Sequence, residues 1–327
     1  METSTVGGTI VRPVRKRRKF PAAFTWLTVT PFAAWAIARV AGLERGSFPT
    51  QLMTGTPYIA AGSLIPLMIA AYRRKHAAFA VALLTTAALG FSVLPRAFGT
   101  ADAIPGRPFR VMTINMLFGK ADAATIVGLV REFDPDVLST QELTPEGVAN
   151  LDAAGLKTLM PNRVLQDEWS AAGSGLYSKH ALRPLPGWTA PPGHNMPGAV
   201  VDLPGGDPIE FIDAHPYPPL GRQVDDWNAA LAAFPSAAPD KIRVIAGDFN
   251  ASLDHAALRG LLSRGYKDAA DQVGAGLIPT WPANKRVPPI ITIDHVLVDQ
   301  RVGVNEVSVR DVPGTDHRAV LAQLTVP

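Results

Sequence analysis

The chain has 327 residues, of which 47% are hydrophobic and 18% charged, apolar for a soluble protein and long enough for one or two domains. It contains no cysteine, which excludes disulfides, thiolate catalysis and cysteine zinc sites and fits an exported domain. The formal charge of +3 conceals a split: residues 1–96 hold 12 Lys and Arg against Glu2 and Glu44, whereas residues 97–327 hold 19 basic and 26 acidic residues, an acidic balance that argues against a general nucleic-acid footprint there.

Residues 1–19 end in a basic block of Arg12, Arg15, Lys16, Arg17, Arg18 and Lys19. Uncharged runs follow at 20–38, 46–72 and 77–95. Each is long enough to cross a hydrocarbon core, which takes about 20 residues of helix. A signal peptide explains only the first run, so residues 20–96 are read as three transmembrane helices in the lipid bilayer. The basic block and Arg73-Arg74-Lys75 fall on one side of this scheme, and the positive-inside rule makes that side cytoplasmic. The expectation is a multi-pass protein of the cell membrane whose chain beyond Pro95 is extracytoplasmic. Residues 97–106 read as a short tether.

From residue 107 to 327 short apolar strands alternate with helices. Phe109–Asn115 reads as a strand ending in Asn115. Ile126, Val127, Val130 and Phe133 mark the apolar face of a helix, and Val137–Glu142 is a strand closing on a carboxylate. Residues 175–178, 199–202 and 209–214 are further strand candidates, the last running into His215. Val224, Trp227, Leu231 and Phe234 mark a helix, and Leu258, Leu261 and Leu262 another. Between them Arg243-Val-Ile-Ala-Gly-Asp-Phe-Asn250 reads as a buried strand. Its Asp248 and Asn250 at i and i+2 would share one face of an extended backbone, although Gly, Asp and Asn are also turn residues. The last strands span 293–298, 304–309 and 319–326, with Gly314-Thr-Asp-His317 before the final one.

The ordered series Asn115, Gln141-Glu142, His215, Gly247-Asp-Phe-Asn250, Ile293-Asp-His295 and Thr315-Asp-His317 resembles the endonuclease/exonuclease/phosphatase (DNase I-like) superfamily over residues 107–327. The resemblance implies an α/β (α+β) fold, a two-sheet sandwich flanked by helices, with the site at one end of the sheets; alternation alone would equally allow a doubly wound sheet. It implies Glu142 as principal metal ligand, with Asn115 and Asp316 beside it. An all-oxygen set of this kind suits Mg2+, with Mn2+ as a substitute. It also implies that Asp294 orients His317, that Asp248 positions or deprotonates the water, that Asn250 bonds a phosphoryl oxygen, and that His215 contacts the phosphate or leaving oxygen. Which of Asp248 and His317 takes the proton stays open in the sequence. Arg222 and Trp281 are further substrate-binding candidates, each with an ordinary alternative as a helix-start arginine and a core aromatic. Asp254 reads as a helix N-cap, and His295 as a packing residue facing away from Asp294. His194 and His255 carry no partner pattern.

These residues suit hydrolysis of a phosphodiester or phosphomonoester by an activated water. Three functions follow: a membrane-anchored phosphoesterase, an extracytoplasmic nuclease acting on DNA or RNA, and a non-catalytic receptor or scaffold that retains the fold. No acid or histidine of the series is missing, which opposes the third. The first motif of the superfamily sometimes carries a further acid two residues after the Asn; here that place holds Leu117, which weakens abasic-site nuclease action.

Overall fold

The computed structural model describes residues 22–102, 104–283 and 287–327, so the basic block Arg12–Lys19 lies outside the described residues. The amino-terminal part is helical. It comprises α1 (Ala22–Ala41), α2 (Ser47–Met53), α3 (Thr56–Gly62), α4 (Leu64–Tyr72) and α5 (His76–Val93), which a 3₁₀ turn extends to Ala97.

This corrects the expectation of three membrane helices. Among the described residues one continuous helix, His76–Ala97, is long and apolar enough to cross a bilayer, with 22 residues and mean hydropathy 2.1. At about 1.5 Å per residue it spans roughly 33 Å, close to a hydrocarbon core of about 30 Å. The second apolar run is broken: Ser47–Met53 and Thr56–Tyr72 meet at 64°, and count as a span only if taken together. Gly55 precedes α3 and Pro57 lies in its first turn, where proline cannot donate to a ladder continuing from α2. The first run does form one 20-residue helix, but Thr25, Thr28, Thr30, Pro31 and Arg39 reduce its apolar character.

Arg73 Nη1 donates to Thr25 Oγ1 at 3.0 Å, which sets the end of α4 beside the start of α1. Helix α5 starts from that same level, packs along α1, and shares with α1 and α4 a small core of Val29, Ala70, Ala78 and Ala82. Helices α1 and α5 therefore run the same way. The stretch expected as a tether is laid against the domain that follows: Asp102 accepts from Lys267 Nζ at 2.7 Å, its N–H donates to Val304 O, and a Cβ on Gly99 would stand 2.1 Å from Gln272 O.

The remaining elements are, in order, β1 (Arg107–Asn115), α6 (Ala123–Phe133), β2 (Val137–Gln141), α7 (Pro145–Ala153), α8 (Leu156–Leu159), β3 (Asn162–Gln166), β4 (Ser174–Ser178), β5 (Ala181–Pro184), β6 (Gly198–Asp202), β7 (Ile209–Ala214), α9 (Gln223–Ala233), β8 (Ile242–Asp248), α10 (Ala256–Leu262), β9 (Tyr266–Asp268), α11 (Ala269–Gln272), β10 (Asp294–Asp299), β11 (Gly303–Asp311) and β12 (Arg318–Val326). They form two six-stranded sheets, ordered β11-β12-β1-β2-β4-β3 and β5-β6-β7-β8-β10-β9. Each sheet is built around one parallel pair, β1 with β2 and β7 with β8, flanked by antiparallel strands. Those four central strands are buried along nearly all their length because both their faces are covered. Phe109, Val111, Phe211, Val244 and Val296 fill the space between the sheets. Ile126, Val127 and Val130 of α6 cover one outer face, and Trp227, Leu231 and Leu258 of α9 and α10 cover the other. The result is the expected two-sheet α/β sandwich flanked by helices.

Candidate active site

The strand registers explain why the six motifs meet. Asn115 lies opposite Gln141 where the parallel pair β1–β2 ends. Ala214 lies opposite Gly247 where β7–β8 ends, so His215 and Asp248 leave their strands together. Asp294 opens β10 directly opposite Asp248. The turn before β12 is fixed by Thr315, whose Oγ1 donates to Asn115 O at 2.8 Å and accepts from the N–H of His317 at 3.1 Å.

Across this end the two sheets are joined by polar contacts. Asn115 Nδ2 donates to Glu142 Oε1 at 3.2 Å and to Asp248 Oδ2 at 3.1 Å, while its Oδ1 accepts from the N–H of Leu117. Below it Gln141 Nε2 donates to Asp213 Oδ1 at 2.8 Å, and Ser139 Oγ to Ala246 O. Glu142 takes a positive φ of 52°, which turns its half-buried carboxylate out of β2 and onto the N–H of Phe118 at 3.0 Å. His317 Nδ1 faces both oxygens of Asp294 at 3.0 Å, and its Nε2 lies 3.7 Å from Asp248 Oδ2 and 3.9 Å from Asp316 Oδ1.

The shared-face expectation for Asp248 and Asn250 is corrected. Strand β8 ends at Asp248, and Asn250 takes a left-handed φ of 48°. Its N–H returns to Asp248 Oδ1 at 2.8 Å and its Nδ2 donates to Pro216 O at 3.1 Å. The two meet through a turn. Trp281 is half-buried and donates Nε1–H to Asp316 Oδ2 at 3.0 Å, so it reaches the site by holding an acid. Arg222 stands exposed ahead of α9 and, among the described residues, bonds to no residue of the site. Asp254 is not a cap: His255 is the residue before α10, and Asp254 is fully buried against Arg39 and Arg96. His295 is buried and faces away from Asp294, as expected, with Nδ1 2.7 Å from Asp268 Oδ2 and Nε2 2.8 Å from Ala251 O.

Residues 112–317 match the model of the Endonuclease/Exonuclease/phosphatase family. The chain belongs to that family.

Membership in the Endonuclease/Exonuclease/phosphatase family makes the chain a phosphoester hydrolase. Solved structures show the same fold at low identity. A family protein from Beutenbergia cavernae is 21% identical, with a TM-score of 0.52 over 67% of this chain and 72% of its own. A humanized D. rerio TDP2 is 17% identical, with a TM-score of 0.53 over 67% and 99%. D. rerio TDP2 complexed with single-strand DNA product is 18% identical, with a TM-score of 0.51 over the same shares. No curated protein matches the sequence.

The charges of the site are strongly displaced. Burial raises the Asp248 carboxyl to about 7, with Asp294 adding to the rise and His317 opposing it. Burial alone would lower His317, but Asp294, Asp248 and Asp316 outweigh it and raise the imidazole to about 10. Burial raises Glu142 as well, against the bonds from Asn115 and Phe118. His215 is pushed well below its ordinary range by burial, then by His194 and His317, so its ring is neutral.

Glu142, Asp248, Asp294 and Asp316 thus share one partly buried space in which, among the described residues, the His317 imidazolium is the offsetting charge. Asp316 Oδ1 is buried and, among the described residues, has no hydrogen-bond partner. An excess of carboxylate oxygen with an orphaned acceptor fits a hard divalent cation, which takes oxygen ligands. Asp248, Asp294 and His317 come within 4.8 Å of one another and also resemble a metal cluster. Both Asp294 oxygens are committed to His317, however, so that pair orients a proton-carrying ring. Glu142 feels the charge of the neighbouring Asp316, and this pair, which the superfamily resemblance also implies, would hold such a cation. Asn115 bridges Glu142 and Asp248 with its amide N–H, holding two carboxylates in place.

Sequence reasoning missed two residues here. Asp213, buried below the site with Oδ2 unpartnered among the described residues, is raised well above the carboxylate range by burial; its signal was an acid between Ile212 and Ala214 in the strand 209–214. His194, in a Pro- and Gly-rich loop, packs against His215 with ring centroids 4.2 Å apart and the rings tilted by 43°, and edges against Tyr217 at 4.6 Å. Nothing in its sequence context marks it.

Proposed function

We propose that this chain is a membrane-anchored, Mg2+-dependent phosphoesterase, with Mn2+ as substitute, that hydrolyses phosphodiester or phosphomonoester bonds by water attack outside the cytoplasm. The observation that carries the reading is the row Asp294–His317–Asp248 set beside the half-buried Glu142. Asp248, whose carboxyl exchanges its proton near neutrality, takes the proton of the attacking water. His317, held as imidazolium by Asp294, donates its Nε2–H to a phosphoryl oxygen. The second amide N–H of Asn250 and the neutral ring of His215 bind the remaining oxygens. A divalent cation held by Glu142 and Asp316 would supply positive charge to the phosphoryl group.

Membrane anchoring is supported by the amino-terminal helices, which leave Leu27, Phe48, Met68, Tyr72, Leu84 and Phe91 exposed, whereas the sandwich buries nearly all its large apolar side chains. The outward orientation is supported by the position of Arg73, Arg74 and Lys75 at the end of the helical part away from Asp254. The acidic balance of residues 97–327 favours a small or lipid-borne phosphoester over a nucleic-acid backbone.

The test uses the full chain in nanodiscs with bis-p-nitrophenyl phosphate, p-nitrophenyl phosphate and single-stranded DNA, each with Mg2+, Mn2+ or EDTA. Hydrolysis that needs the cation, and that falls by about 10²-fold or more in Glu142→Gln and in His317→Ala, is expected. Turnover that survives EDTA or both substitutions would sink the reading.

A further inference from the structure

Three loops leave the site on the side of the second sheet, and each is bonded to the amino-terminal helices. The loop after β8, which carries Asn250, continues to Asp254. Arg39 Nε donates to Asp254 Oδ1 at 2.7 Å, Arg96 Nη2 to the same oxygen at 2.6 Å, and Arg96 Nη1 to Oδ2 at 2.8 Å. The three side chains are 9%, 6% and 0% exposed. Arg39 Nη2 also donates to Leu253 O at 3.2 Å, and the Arg39 and Arg96 backbone oxygens accept from Arg259 and from the Gly276 N–H. One residue on, His255 Nε2 bonds Thr50 O at 2.8 Å, its Nδ1 accepts from the N–H of Ser252, and Glu44 accepts from the N–H of Ala256. The loop after β7, whose Pro216 O holds Asn250, is tied at Pro219 O and the Gly221 N–H by Ser47 Oγ, at 2.9 and 2.8 Å. The loop before β10 is tied by Tyr58 OH to Ile290 O at 2.6 Å, next to the Ile291 that pairs with Trp281.

We propose that the amino-terminal helices form part of the catalytic apparatus, with Asp254 as a positioning residue through which the ends of α1 and α5 set the Asn250 loop. This deepens the reading above and rests on it for the site's chemistry. Arg39 and Arg96 come from two helix ends and share one fully buried carboxylate, so the loop has its site geometry only when both ends are seated. A buried ion pair of this kind fixes geometry, because losing one member leaves buried charge uncompensated. The cation donors Glu142, at the end of β2, and Asp316, in the turn before β12, both belong to the opposite sheet, which the Asp254 clasp does not touch. Loss of the clasp therefore displaces Asn250 and Asp248 while leaving the cation donors on their own scaffold.

The test compares the full chain in nanodiscs with Asp254→Asn and with the double variant Arg39→Gln/Arg96→Gln. Expected is a kcat at least about tenfold lower on bis-p-nitrophenyl phosphate, with KM and the Mg2+ midpoint within about twofold of wild type. Hydrogen exchange should quicken over 216–221 and 250–256 and stay unchanged in β11 and β12. Two results would overturn the proposal: unchanged kcat or loop exchange in both variants, or a kcat loss that comes with lost protection throughout the sandwich. The exchange readout needs no turnover, so an inactive wild type would count against the phosphoesterase reading while the clasp is still judged.

Discussion

At the residue scale the site is governed by one imidazole among four carboxylates. With a folded value near 10 against an ordinary 6.5, His317 adds stability that is present in full below about 6.5 and is lost as pH rises through about 10. In EDTA, the melting temperature of the chain should fall across that interval, and His317→Gln should flatten the fall. NMR of labelled histidines, assigned with the same variant, should show His317 holding its proton past pH 9. Added Mg2+ should move that titration to lower pH, since a bound cation and the imidazolium repel each other. A His317 that titrates near 6.5 in EDTA would remove the argument for its role as proton donor. The motif residues were legible because each ends an apolar strand with a polar side chain. His194 was not, because ring contact between distant loops leaves no local pattern, and Asp213 reads in the sequence as an ordinary residue of β7 whose burial no neighbour signals.

The elements show where the sequence was readable and where it was not. Strands β1, β2, β7, β8, β10 and β12 are rich in apolar and β-branched residues, and those residue types alone place them. Strands β3, β5 and β9 are short and lie at sheet edges, with too few residues for an alternation to show. Composition reads the second apolar run as one span, but Gly55, Pro57 and Ser63 divide it into three short helices. Gly247 belongs to this scale too. Its φ is 152°, and a Cβ there would stand 2.1 Å from Ala214 O on the neighbouring parallel strand. Gly247→Ala should therefore destabilise the chain by about 3 kcal/mol, read by urea denaturation, because buried backbone cannot yield as a side-chain end would. A change below about 0.5 kcal/mol, the range of ordinary surface substitutions, would mean the pair β7–β8 can spread.

On the scale of the whole molecule, the helical part and the sandwich form a single working unit. Composition revealed the helical part as apolar, but not that Arg39 and Arg96 point at a partner; an arginine in an otherwise apolar helix was the available signal. Orientation is checked by a reporter fused after Pro327: activity outside the cytoplasm is expected, and a cytoplasmic signal would reverse the scheme. The clasp also has a consequence for biogenesis. Arg39 precedes Asp254 by 215 residues and Arg96 precedes it by 158, so both arginines enter the growing chain long before their counter-ion. The clasp therefore cannot close before the chain has been made as far as Asp254. Until then both arginines lack the carboxylate that neutralises them in the finished fold, so a chain stopped short of Asp254 keeps two uncompensated cations at the helix ends.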